Sequence, residues 1–197
     1  MIPEELLISH GARKVSYSQN EMIFVQDDKA TNFYQIHRGQ VGIITMNENG
    51  KEFIQGIFGK GESFGEPALF ADIEYPASGI VMEDAQILVM PRDHFLRFLS
   101  EHPEYYLKML ERLSLRLHYK ATISQAISTE QAEKRILILL DYFKGRSGSP
   151  THKRYKVNLT RQQIADLIGL RVETVIRAIS CLKQKTEIEI KNAKIYR

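Results

Sequence analysis

Residues 159–183, LTRQQIADLIGLRVETVIRAISCLK, carry two helical patterns separated by a glycine. Thr160 precedes an apolar series and has Gln163 three residues on, the reciprocal capping pattern that starts a helix. Ile164, Ala165, Leu167 and Ile168 give that helix one apolar face. Gly169 stands where the chain reverses and a positive φ is needed. A second helix follows, with Val175, Ala178, Ile179 and Leu182 at helical spacing on its inner face. Its outer face holds Arg171, Val172, Glu173, Ile176, Arg177 and Ser180, an odd mixture for a plain solvated surface. A helix–turn–helix is the economical reading. The competing one is an ordinary helical hairpin, with Glu173 and Arg177 as a surface ion pair worth only ~0.2–0.5 kcal/mol.

Charge separates these readings. From residue 132 onward there are 15 Lys and Arg against 6 Asp and Glu, whereas residues 1–131 hold 12 against 18. A basic half containing a helix–turn–helix, joined to an acidic half, is the footprint of a polyanion-binding domain attached to something else.

The remaining composition sets bounds. At 197 residues the chain has material for one or two domains, and 43% apolar with 26% charged residues is ordinary for a globular protein. The longest aliphatic run, residues 136–140, is far too short to span a bilayer. Residues 1–10 lack the basic start and apolar stretch of a signal peptide, so a cytoplasmic location is expected. Cys181 is the only cysteine, which excludes an internal disulfide and a multi-thiolate cluster within one chain. Its place beside Leu182 predicts a small buried apolar residue. Six histidines are scattered without HxH or HExxH spacing, and no metal site is expected.

Residues 2–10 read as a short lead-in helix. Residues 12–91 then alternate short β-rich runs with glycine, the pattern of an all-β sandwich or barrel. The expected strands are 14–17, 22–25, 32–38, 41–46, 52–58, 77–82 and 86–90, with a hairpin turn at 47–50. From Pro103 to Phe143 no glycine or proline intervenes. Leu110, Leu113, Leu117, Lys120, Ser124 and Ile127 follow alternating three- and four-residue steps, a coiled-coil seam more polar in its second half. About 28 residues at 1.5 Å each span roughly 40 Å, a length that favours a dimer interface over a helix packed on its own domain. A break at 128–131 precedes a helix at 132–143, a basic loop at 144–154 and a strand at 155–159. Residues 187–190 and 194–196 form a closing hairpin, which makes the helix–turn–helix a winged one.

In this order of parts the chain resembles the Crp/Fnr family of bacterial transcription regulators. The likeness rests on FYQIHRGQVGI (33–43), GKGESFGEPALF (59–70), the long helix after Pro103 and LTRQQIADLIGLRVETVIR (159–177). It implies an α+β chain: an antiparallel β-roll sensor domain over 1–102, a central dimerisation helix over 103–131 and a winged helix–turn–helix over 132–197. It also implies a homodimer bound to double-stranded DNA with a palindromic operator, since two recognition helices on a two-fold axis meet major-groove faces about 34 Å apart. By this resemblance Glu173 and Arg177 read bases, glutamate accepting from cytosine N4 and arginine pairing with guanine O6/N7. Thr160, Arg161 and Thr174 hold phosphates, which positions the protein without reading sequence. Val172 departs from the cAMP receptor branch and agrees with the Fnr-like branch, and its isopropyl group can meet a thymine methyl. Ile176 replaces a small polar residue, and Arg171 replaces a capping Ser or Thr.

The family's cyclic-nucleotide site maps onto Gly65, Glu66, Pro76, Ala77, Lys120 and Ala121. A cyclic phosphate needs a positive charge and donors close by, yet an Arg-Ser pair is replaced here by Pro76-Ala77. Proline has no amide donor and alanine no polar side chain. The adenine-reading Thr-Ser pair is replaced by Lys120-Ala121, so cAMP is disfavoured, although Lys120 leaves some other anion open. An iron–sulfur cluster is disfavoured because residues 1–30 contain no cysteine, and haem because no histidine stands out as an axial ligand. No cofactor is expected, and a small molecule, a partner or control by abundance remain as inputs. The resemblance also implies contact with RNA polymerase through a surface loop, for which 144–154 is placed suitably. The alternative function is a small-molecule-binding β-roll module regulating a protein or RNA partner. An enzyme on a cupin-like barrel is disfavoured for want of metal ligands.

Overall fold

The computed structural model describes residues 2–46, 52–147 and 154–197. The expected turn at 47–50 and the middle of the basic loop lie outside the described residues. The chain divides into two compact units, Met1–Leu113 and Ser114–Arg197.

The first unit opens with α1 (Glu4–Ser9), β1 (Arg13–Tyr17) and β2 (Met22–Phe24). It continues through β3 (Asn32–Met46), β4 (Glu52–Phe58), β5 (Ser63–Phe64), α2 (Glu66–Ala71), β6 (Ser78–Pro91) and α3 (Arg92–Glu101). All strand pairs are antiparallel. The sheet order is β1-β6-β3-β4, with β2 added to β6 and β5 to β3. This is the β-roll, and its backbone is the long β3–β6 pair, registered from Asn32↔Pro91 to Ile44↔Ser78.

Two expected strand pairs are each one strand. Residues 32–38 and 41–46 join across Gly39, where the register shifts between Arg38 and Gln40. The glycine marks a bulge, not a turn: its φ is +90°, and a Cβ there would lie 2.5 Å from the Asp84 carbonyl oxygen. Residues 77–82 and 86–90 likewise join through the exposed Glu83 and Asp84. The expected strands did not include α2 or α3. The latter has its own sequence signal, Phe95, Phe98 and Leu99 at helical spacing, all buried. Phe95 stacks on Phe33 with centroids 3.8 Å apart, fixing α3 to β3.

The division between units falls inside α4 (Pro103–Thr129), which starts at the proline and ends within the expected break at 128–131. In the second unit Tyr119, Ile123 and Ala126 of α4 are buried. Tyr119 stacks on Tyr142 of α5 (Ala132–Arg146) at 3.6 Å, and burial pushes the Tyr119 phenol up. Then come β7 (Lys156–Val157), α6 (Arg161–Ile168), α7 (Val172–Gln184), β8 (Glu189–Lys191) and β9 (Lys194–Tyr196). Helices α5, α6 and α7 pack on one another, and a small sheet, β7-β9-β8, closes the unit.

Candidate nucleic-acid interface

The reversal between α6 and α7 forms as its residues require. The Thr160 hydroxyl accepts from the Gln163 amide at 3.0 Å, and the Gln163 side chain accepts from the Thr160 amide at 2.8 Å. This completes the capping box and satisfies two N-terminal amides of α6. Gly169 ends α6 in the left-handed region at φ +68°. Beyond it Arg171 stands at the N-cap of α7, and its side chain makes no capping bond. The helix nonetheless forms, because Val175, Ala178, Ile179 and Leu182 bury its whole inner face. Cys181, expected to be buried, is only half-buried; helical phase puts it at the border of that face.

The opposite face of α7 is open. Arg171, Glu173, Ile176, Arg177 and Ser180 are exposed, and Val172 and Thr174 are half-buried beside them. Among the described residues no ion pair joins Glu173 to Arg177, so the surface-pair reading has no support. At the start of α6 Thr160 is exposed and Arg161 half-buried, and burial pulls the Arg161 guanidinium below its ordinary value. The second helix thus presents bidentate groups of both signs to solvent, with one cation, Arg161, and the Thr160 hydroxyl from the first helix nearby in sequence.

Beyond α7 the hairpin β8–β9 turns at Asn192 and Ala193, both with positive φ (47° and 61°). Arg197 fastens it. Its guanidinium donates to both Asp141 carboxylate oxygens of α5, at 2.7 and 3.0 Å, and to the Glu187 carbonyl at 2.8 Å. The Asp141 carboxylate and, less strongly, that of Glu187 at 3.1 Å hold the guanidinium above its ordinary value. Sequence reading missed this clamp, since its partners lie 56 residues apart.

Residues 134–196 match the Crp-like helix-turn-helix domain family, and residues 14–102 the cyclic nucleotide-binding domain family. The chain belongs to the Crp/Fnr family. This is a family of DNA-binding transcription regulators. The cyclic AMP receptor protein of Thermus thermophilus is 26% identical over 192 residues, covering 96% of this Crp/Fnr chain and 86% of that protein. The fumarate and nitrate reduction regulatory protein of Yersinia pestis is 22% identical, over 91% of this chain and 72% of that one. A mutant of CooA from Carboxydothermus hydrogenoformans shares the fold at a TM-score of 0.80 with 20% identity, covering all of this chain and 86% of that one. FixK2 from Bradyrhizobium japonicum gives 0.77 at 20% identity, over 93% of this chain and 91% of that one.

In the first unit of this Crp/Fnr chain, two of the positions expected to face an effector are buried. Glu66 is 1% exposed and engaged by its surroundings, and Ala77 is 1% exposed; Pro76 is exposed and Gly65 half-buried. Tyr75, beside them, stacks on Phe24 with centroids 3.8 Å apart and planes 14° from parallel. Phe24 also faces Tyr34 and Phe64, and the rings of Phe24 and Tyr75 lie 3.4 and 3.3 Å from where a Cβ on Gly65 would sit. Burial pushes the Tyr34 and Tyr75 phenols up. Lys120 and Ala121 lie exposed on the second unit's part of α4. Among the described residues no group of three or more His, Cys, Asp or Glu is placed to hold a metal, and no helix is long and apolar enough to cross a membrane.

Proposed function

We propose that this chain is a homodimeric Crp/Fnr-type regulator that recognises a palindromic DNA site by laying α7 of each subunit in the major groove. The observation that carries it is the open face of α7, where Glu173 and Arg177 stand exposed and outside any ion pair among the described residues. Side chains held ready in this way suit base edges: arginine to guanine O6/N7 and glutamate to cytosine N4. Thr160, Arg161 and Thr174 supply phosphate contacts, and the turn sequence places the chain nearer the Fnr-like branch. In this reading 1–102 is the sensor, 103–131 the dimerisation helix and 132–197 the DNA-binding domain.

Dimerisation is supported by a row of uncovered leucines. Leu110 is 60% and Leu117 71% exposed, and Ile127 is 37% exposed. Leu113, in the same seam, is half-buried against the core of the first unit. A second copy of α4 covers these side chains by two-stranded packing. The sensor does not take cAMP in the usual way: the Thermus relative is named for cAMP, but here Pro76-Ala77 offers a cyclic phosphate neither charge nor side-chain donor, and Phe24 and Tyr75 crowd Gly65.

Selection of bound genomic fragments tests the DNA reading. A palindrome with half-sites one helical turn apart is expected, and featureless recovery counts against it and for an RNA- or protein-directed module. Leu117→Asp should yield a monomer in sedimentation and remove tight DNA binding; an unchanged sedimentation profile refutes the seam. A thermal shift on adding cAMP would overturn the negative reading of the sensor.

A further inference from the structure

Among the described residues from Ala132 onward, Ile176 is the only large apolar side chain that stands exposed, at 52%. It does not join the inner face of α7, which Val175, Ala178, Ile179 and Leu182 complete without it. At about 100° per residue it lies roughly 60° around the helix from Glu173 and 100° from Arg177. Val172, half-buried, stands one turn before it on the same edge, so the two make an apolar border to the polar face. Helical phase therefore puts a branched hydrocarbon beside the two side chains best suited to read base edges. The one apolar group that base pairs show in the major groove is the C5 methyl of thymine.

Resting on the DNA-reading role of α7, we infer that Ile176 is a specificity residue that packs on a thymine methyl. That thymine belongs to a base pair next to those reached by Glu173 and Arg177, once in each half-site. Cytosine presents an amino group to Ile176 there and a purine no methyl, so both are disfavoured without any hydrogen bond being lost. The preference is then hydrophobic in origin, unlike the charge-assisted preferences of Glu173 and Arg177.

The test uses the full-length protein and a duplex chosen by selection from random DNA. Each thymine is replaced in turn by deoxyuridine, which deletes the methyl and keeps every hydrogen-bonding group. The expected result is a loss of roughly three- to tenfold in affinity at one thymine per half-site, the scale of one buried methyl. Ile176→Ala should lose a similar factor on the thymine duplex and become indifferent to deoxyuridine, whereas Ile176→Val should keep part of the sensitivity. Because Ile176 is exposed, an unchanged melting temperature is expected and shows that Ile176→Ala is folded. A flat deoxyuridine scan with wild type overturns the inference, as does full methyl sensitivity in Ile176→Ala. Loss of that sensitivity in Val172→Ala alone assigns the contact to Val172 and overturns it too. If no duplex is selected at all, the DNA-reading role itself fails, a result distinct from these.

Discussion

Phe24 and Ile176 are both large apolar side chains, yet Phe24 is 7% exposed and Ile176 52%. Phe24 lies among Tyr34, Phe64 and Tyr75 in the first unit, so its surface is committed to the protein itself. Ile176 lies on the open face of α7, next to charges outside any ion pair, and its surface is free for a partner. The same contrast separates Glu66, buried at the foot of α2, from Glu173, exposed on α7. Family resemblance marks both regions as binding sites, but in the first Glu66 and Ala77 are buried, whereas in the second Glu173 and Arg177 are exposed. Packing thus separates carboxylates turned into the protein from those turned to solvent.

Substitutions can break or sharpen this contrast. Phe24→Ala should have the largest effect, lowering stability by about 3–5 kcal/mol in denaturant unfolding, since it opens a cavity among stacked rings. An unchanged midpoint would show that Phe24 is not committed to packing. Arg177→Ala should leave stability unchanged and cost about 1–3 kcal/mol of DNA affinity, chiefly at one base pair per half-site. Equal weakening on every sequence would reduce Arg177 to a phosphate contact. Arg197→Ala should lower stability by about 1–2 kcal/mol, because a bidentate, partly screened pair exceeds an ordinary surface one.

The smallest expected effect concerns Glu4. Its Oε1 lies 2.9 Å from Lys14 Nζ and 2.6 Å from His37 Nδ1. The Lys14 bond, aided by the charge of His37, holds the carboxyl below its ordinary value of 4.5. The depressed value means that the stabilisation is fully present above pH 4.5 and is lost as pH falls through the folded-state value. Glu4→Gln should remove that acid-side loss while costing only about 0.5 kcal/mol near neutrality. Thermal melts of both proteins across the acid range measure it.

The second unit was the more legible in sequence. Its helices are set by local signals, a capping box, a glycine and a 3.6-residue period, and the four inner-face residues expected on α7 are the four found buried. In the roll, local signals misled. Gly39 and Glu83-Asp84 look like turns, but tertiary pairing carries β3 and β6 straight through them as bulged strands. The Phe24 cluster and the Arg197 clamp were not legible at all, because each joins residues far apart in sequence that only the fold brings together.

That clamp bears on how the protein would leave DNA. The Arg197 side chain is only 23% exposed between its carboxylates, so dissolved ions reach it poorly, whereas Arg171 and Arg177 face open water. Rising ionic strength should therefore screen those two arginines well before it unseats the wing. If α7 reads DNA as proposed, the second unit would then come off the duplex still folded, ready to rebind when the salt is diluted.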